Sequence, residues 1–412
     1  MTLSYLNPTT INPKAFSYQM ADYDAQRNQV LFYPYGSITP PIGNTGVLLA
    51  YHANTNNFTS PSSWTAADLS QIVSSNAINF GGGFLDSSDN FAYLPAESHV
   101  ALQINLAKEY ANPKDPTAYA SMDLRKIPGI PDAGGFAGVF ANGYAYFAPT
   151  GDPLKGHVVD GILIRYNSAK SFSTPTSWQW YNMNDITTPP DPALGGEQSM
   201  AYVSPYVYLI PFIQQDPSGK SGQIMASKII RYDTTKDFES ASSYQTFDLT
   251  TLPFPSAIQA QMKGFTGSVA VGNKLILVPW GLRTTKQTNS VAVMFDTTKQ
   301  LNDPSAWQYI DLTTVNPEAG GYQFGWLDKN GFVWFVPTSN FNLKPPHSPP
   351  FVVWNSALPF NNPSSWTSYA NAQNIWSSGV AYDPVTNTAW LSPYGWPSGG
   401  ALPTLVTQVQ EH

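Results

Sequence analysis

The chain has 412 residues, of which 11% are charged and 14% aromatic, with a net charge of −7 and no cysteine. An ordinary soluble domain carries about 25% charged residues, so this surface is built from neutral polar side chains, and the missing cysteines exclude disulfides, thiolate catalysis and cysteine-based metal sites. An acidic balance without clustered Lys or Arg excludes a phosphate backbone as partner, and no stretch approaches the roughly 20 apolar residues of a membrane-spanning helix.

The first sixteen residues, MTLSYLNPTTINPKAF, have neither the basic start nor the apolar core of a signal peptide. From there the chain repeats one unit of four short strands. The first unit spans residues 15–72 and turns at 24–28. The second spans 79–127 and opens on the triple glycine 81–83; the third spans 135–188 and turns at Asn142-Gly143, a strong hairpin dipeptide. The fourth spans 196–252, and the fifth, 263–315, shows the pattern most plainly. The sixth spans 320–375, turning at Asn330-Gly331, and the seventh spans 377–410.

Three signals define the period. The second strand ends in a proline at Pro34, Pro95, Pro149, Pro211, Pro279, Pro337 and Pro393, spaced 54 to 68 residues apart. The third strand recurs as VLLAYHA, VALQINL, ILIRYNS, KIIRYDT, VAVMFDT and FVVWNSA, with TLVTQVQ as the seventh copy. The fourth opens on an aromatic residue at Trp64, Tyr119, Trp178, Tyr244, Trp307 and Trp366, and Asp68, Asp123, Asp185, Asp248 and Asp311 follow as turn formers. The aromatic set is expected in the core between units. The seventh outer strand is missing at the C-terminal end, but LSYLNPTTINPKA near the start lines up with WQYIDLTTVNPEA. The predicted fold is therefore all-β: a single seven-bladed β-propeller of four-stranded antiparallel blades, with residues 2–7 completing the C-terminal blade. Such closure leaves no open sheet edge.

Tyr232-Asp233 followed by Tyr244, and Phe295-Asp296 followed by Trp307, resemble the kelch repeat, in which a strand ends in Tyr-Asp and a tryptophan opens the outer strand. Pro-x-Gly stands where kelch has a glycine doublet, and the segment before the aromatic is longer. The resemblance implies architecture alone and carries over no functional residue.

In this topology the loops between strands two and three share one end of the propeller with the blade-to-blade connections. Residues 34–46, 212–227 and 338–350 are long and variable, which makes that end the expected working face. Tyr35, Trp280, Tyr394 and Trp396 follow the second-strand proline and are expected to rim it as exposed aromatics, a chemistry suited to sugars and protein interfaces. Glu97-Ser98-His99 places a carboxylate and an imidazole two residues apart, and His157 lies near Asp160. Glu97, His99 and His157 join the aromatics as candidate ligand-binding residues. No catalytic or metal-ligating residue is assigned, because no histidines pair at ligand spacing and no ring of carboxylates is visible. No cofactor is expected. Arg231, Lys228 and Lys236 read as a solvated basic patch.

The leading expectation is a non-enzymatic binding or structural propeller that meets a protein or glycan through its loop face, at a virion or cell surface. One alternative is a propeller glycosidase or lyase using Glu97, His99, His157 or Glu197 at the top of the channel. A second is an intracellular kelch-like scaffold for a protein partner.

Overall fold

The computed structural model describes residues 1–35, 45–55, 57–95, 99–131, 134–150, 161–216, 223–282, 287–343, 347–394 and 405–410. These form seven four-stranded antiparallel sheets, with two further two-stranded ribbons. Blade 5 is typical, running outward through Phe265–Val271, Lys274–Pro279, Val291–Asp296 and Trp307–Asp311. Its second and third strands are continuous apolar runs because neighbouring blades cover both faces, whereas the outer strand alternates toward solvent.

The second-strand prolines end the ladder because they have no N–H to give it. The next residue resumes bonding to the residue just before the innermost strand. Tyr35 N–H donates to Ser17 O (3.0 Å), Phe212 to Gly196 (3.0 Å), Trp280 to Gly264 (3.1 Å), Thr338 to Gly321 (3.2 Å) and Tyr394 to Trp376 (2.9 Å). Each post-proline side chain is thereby fixed near the channel mouth.

The ring closes as the alignment of the two termini predicts. Thr2–Leu6 forms the outer strand of blade 7, pairing antiparallel with Val406–Gln410 from Thr2 opposite Gln410 to Leu6 opposite Val406. Leu6 enters the same apolar cluster as Trp390 and Trp64.

Six innermost strands share a bulge one or two residues after they begin. Just beyond it, Met20, Ser199, Gly267 and Gly379 pair with the residue before the second-strand proline, while Gly138 and Gly325 pair one residue further along. Gly267 and Gly379 are glycine at the first of these positions because backbones converge at the axis. A Cβ on Gly379 would stand 2.6 Å from Met20 Cα, and one on Gly267 2.9 Å from Phe324 Cα.

The outer-strand aromatics are core, and each ties down its own turn. Trp64, Trp178, Trp307 and Trp366 donate Nε1–H to the carbonyl six residues earlier at 2.8–2.9 Å, and the Tyr119 and Tyr244 hydroxyls do the same at 2.7 Å. The turn-forming role of Asp68, Asp123, Asp248 and Asp311 is present, each accepting a backbone N–H two residues on. Asp185 does not have it. Blade 3 uses Asn182, which accepts from Asn184 N–H at 3.1 Å, and blade 7 uses Asn7 in the same way.

Of the expected solvated basic patch, Lys236 is exposed but Arg231 is not. Arg231 is buried at 3% exposure, lies 4.3 Å over the Tyr206 ring, and donates to Gln300 Oε1 at 3.0 Å. Lys228 pairs with Asp191 and Lys236 with Asp233.

Candidate functional site

Both ends of the propeller are available to build a site. At the expected working face, most of the second-to-third strand loops, with Glu97, His157 and Trp396, lie outside the described residues. The roots of those loops are described, and they differ from the expected exposed rim. Tyr35 and Trp280 are each only 8% exposed. Tyr35 packs edge-on against Phe136 (6.0 Å) and parallel to the partly exposed Tyr394 (6.5 Å), so blades 1, 3 and 7 meet through aromatics over the channel mouth. Trp280 packs edge-on against Phe212 at 4.9 Å, in a cluster with Ile213 and Met225 of blade 4. Their polar main-chain tether, set by the preceding proline, pulls these rings inward rather than leaving them on the rim.

His99 stands apart from this group. It is buried, holds a left-handed backbone at φ +68°, and its carbonyl accepts Leu124 N–H at 2.8 Å, so it shapes the turn into the third strand of blade 2. Glu197, at the start of the innermost strand of blade 4, is buried at 1% exposure. Among the described residues no three His, Cys, Asp or Glu side chains come together as a metal-binding group.

The same end carries added structure in three adjacent blades. Ile213–Gln215 pairs with Gln223–Met225, and Gly281–Leu282 pairs with Gln287–Thr288, extending blades 4 and 5 beyond their sheets. In blade 6, Asn340 and His347 form a bridge, and Asn340 Nδ2 donates to Glu318 O at 3.0 Å. Thr288 Oγ1 accepts Phe341 N–H at 2.8 Å, joining the ribbon of blade 5 to blade 6. With Trp280 seated in blade 4, the three projections form one connected ridge.

Beneath the mouth the channel is narrow. A cavity of about 160 Å³ is lined by inner-strand residues including Met20, Gly138, Ser199, Ser268 and Phe324. Around it the bulge residues Gln19, Thr266, Gln323 and Ser378 are all buried. Thr266 Oγ1 donates to Tyr322 O at 3.1 Å, bonding one blade to the next. Sequence reasoning missed this ring. Its signal is a polar residue next to a glycine or bulky apolar residue at the start of four inner strands, as in Tyr-Gln-Met and Phe-Thr-Gly.

The larger cavity lies at the opposite end, where inner hairpins and third-to-outer turns gather. It measures about 630 Å³ and sits between blades 7 and 1, lined by Tyr23, Tyr51, Asp383, Trp390, Gln408 and Gln410 among others. No sequence motif marks it.

The chain is thus a closed seven-bladed β-propeller of four-stranded antiparallel blades. No family model matches it, and neither does any curated protein. Solved propellers do. The extracellular domain of the putative hybrid two component system BT4673 from B. thetaiotaomicron is 8% identical, with a TM-score of 0.58 over 100% of this chain and 43% of that one. The RRP9 WD40 repeats are 7% identical, with a TM-score of 0.56 over 99% and 97%. The β-propeller domain of Myceliophteria_thermophila Cps50 (Swd1) is 8% identical, with a TM-score of 0.56 over 97% and 97%. At such identities the likeness is one of fold, and it selects no repeat family.

Proposed function

We propose that this propeller is a non-enzymatic binding protein that engages a protein or glycan partner through the end bearing its second-to-third strand loops. The observation that carries this reading is the connected ridge of blades 4, 5 and 6. Three loop roots are tied to one another through Trp280–Phe212 and Phe341–Thr288, giving a broad, preorganised surface. Preorganisation lowers the ordering cost of association, and variable loops on a rigid scaffold are where recognition concentrates. The neutral, charge-poor composition suits a neutral polar partner, and we place the protein at a virion or cell surface on the same ground.

The test has two parts. Immunogold labelling of intact cells and released particles should decorate a surface; label confined to the cytosol overturns the location. Gln287 and Asn342 are exposed on the ridge. A Gln287→Arg/Asn342→Arg variant should lose partners captured from the labelled surface while retaining the unfolding temperature of the parent. Unchanged capture by the folded variant overturns the assignment of this face.

A further inference from the structure

The cleft between blades 7 and 1 contrasts with the filled seams that follow blades 3 and 4. In blade 3, Tyr144 begins the second strand and Arg165 lies in the third, two residues before Asn167, which pairs with Tyr144. The Arg165 guanidinium lies 4.2 Å from the Tyr144 ring and 4.2 Å from Phe238 of blade 4, and donates to the Tyr232 hydroxyl at 3.2 Å. It fills the seam between the two blades. Blade 4 repeats the device, with Tyr206 and Arg231 in the same positions and Arg231 reaching Lys299 O and Gln300 of blade 5. In both blades the outer strand supplies a glutamine, Gln179 or Gln245, as the cross-strand acceptor.

Blade 7 replaces all three parts. Thr388 stands at the tyrosine position and Gln408 at the arginine position, with Ser4 opposite it on the N-terminal strand. A threonine and a glutamine are too small to reach blade 1 as an arginine on a tyrosine does. What remains is the cleft of about 630 Å³, within the range of small-molecule sites.

Its lining has a definite chemistry. Gln408 and Gln410, with Asn28 and Asn54 from blade 1, offer amides that both donate and accept. Tyr23, partly exposed, is stacked on Trp390 with ring centres 5.8 Å apart, and its hydroxyl donates to Asn28 Oδ1. Asp383 already receives Val385 N–H at 2.8 Å and the Thr386 hydroxyl at 2.6 Å. No lysine, arginine or histidine is among the described residues that line the cleft. Trp390 itself is 2% exposed, and its Nε1–H has no acceptor among the described residues.

We infer that this cleft is a binding site for a neutral saccharide unit, held by amide hydrogen bonds to its hydroxyls and by the Tyr23–Trp390 aromatic wall. Paired donors and acceptors match hydroxyl groups, which do both, and an aromatic wall matches the apolar face of a pyranose. The lack of a cation and the presence of Asp383 disfavour anionic sugars. The site lies at the opposite end of the sheets from the loop face and does not rest on the function proposed for it.

The experiment is ligand-observed saturation-transfer NMR on the full chain with glucose, galactose, mannose, N-acetylglucosamine and their β-linked disaccharides, with glucuronic acid as the charged control. An array of immobilised neutral glycans, run in parallel, distinguishes a free sugar from the end of a glycan chain. At least one neutral sugar should give saturation transfer, and glucuronic acid should give none. Restoring the plug with Thr388→Tyr/Gln408→Arg should abolish the signal. Tyr23→Ala removes the partly exposed ring of the wall and should weaken binding about tenfold. Gln408→Arg alone serves if the double variant does not fold. Silence from every neutral sugar and glycan, or undiminished binding in a folded plugged variant, overturns the proposal.

Discussion

Ser378 Oγ donates to the carbonyl oxygen of Tyr18 at 2.5 Å, across 360 residues of sequence. The bond joins the innermost strand of blade 7 to that of blade 1, at the channel end of a seam whose far edge is closed by Thr2–Leu6. Three layers hold the ring shut: the inner hydroxyl bond, the apolar cluster of Leu6, Tyr51, Trp64 and Trp390, and the outer strand ladder. Removing residues 1–6 strips the ladder from Val406–Gln410 and exposes a sheet edge. Circular dichroism melting of this deletion should show a fall of more than 10 °C, and light scattering should show association; an unchanged melting temperature would mean that the ladder does not hold the ring.

The outer-strand aromatics separate packing from polar bonding. Trp307 is 3% exposed and gives Nε1–H to Leu301 O at 2.8 Å. Trp307→Phe keeps most of the ring and leaves that carbonyl without its donor, at a cost of about 1–3 kcal/mol. Trp307→Ala also opens a cavity against Phe295 and should cost about 3–5 kcal/mol. Urea unfolding of the two variants measures both, and equal losses would assign the effect to the lost bond and leave none to packing.

Backbone convergence at the axis gives a third test. Gly379→Ala places a Cβ 2.6 Å from Met20 Cα and 2.7 Å from Gln19 O, contacts that only backbone movement can relieve. It should destabilise by about 2 kcal/mol or more. Gly272 has φ +57° but nothing within 4 Å of its Cβ, so Gly272→Ala should cost only about 1 kcal/mol of backbone strain. Thermal melts that rank the two in the opposite order would refute steric convergence.

Two carboxyls at the seam of blades 1 and 2 set a pH dependence. Burial pushes Glu109 up to about 7, with the Gln29 amide donating to it at 2.9 Å and partly opposing the rise. Burial also pushes Asp22 up to about 7, partly opposed by the neighbouring Tyr33 hydroxyl and reinforced by Asp89. In the unfolded chain both titrate near 4. Between about pH 4 and pH 7 the folded state therefore holds more protons than the unfolded state, and stability falls as pH rises through that window. Their contribution is complete below about pH 4 and lost above about pH 7. Glu109→Gln/Asp22→Asn should flatten this slope and raise the melting temperature at pH 8 relative to the parent. Parallel melting curves of parent and variant across pH 4–8 would show that neither group titrates in this range.

The architecture was legible in the sequence because propeller blades repeat the same physical problem. Each second strand needs a stop, hence the seven prolines, and six outer strands open on an aromatic that fills the seam and bonds back to its turn, as Trp307 does. Local pattern also placed residues 2–7 in blade 7. The candidate surfaces at the two ends were not legible in this way. Tyr35 and Trp280 read as exposed rim aromatics, because one strand end does not reveal that Phe136 of blade 3 or Phe212 of blade 4 will stand beside it. Arg231 read as a surface cation, although Tyr206 and Gln300 bury it. The cleft depends on Thr388 and Gln408, 20 residues apart, facing Tyr23 and Tyr51 from the other end of the chain. Repeat chemistry is local and recurs along the sequence. A seam between the first and last blades exists only once the ring has closed, so only the tertiary structure decided what it could hold.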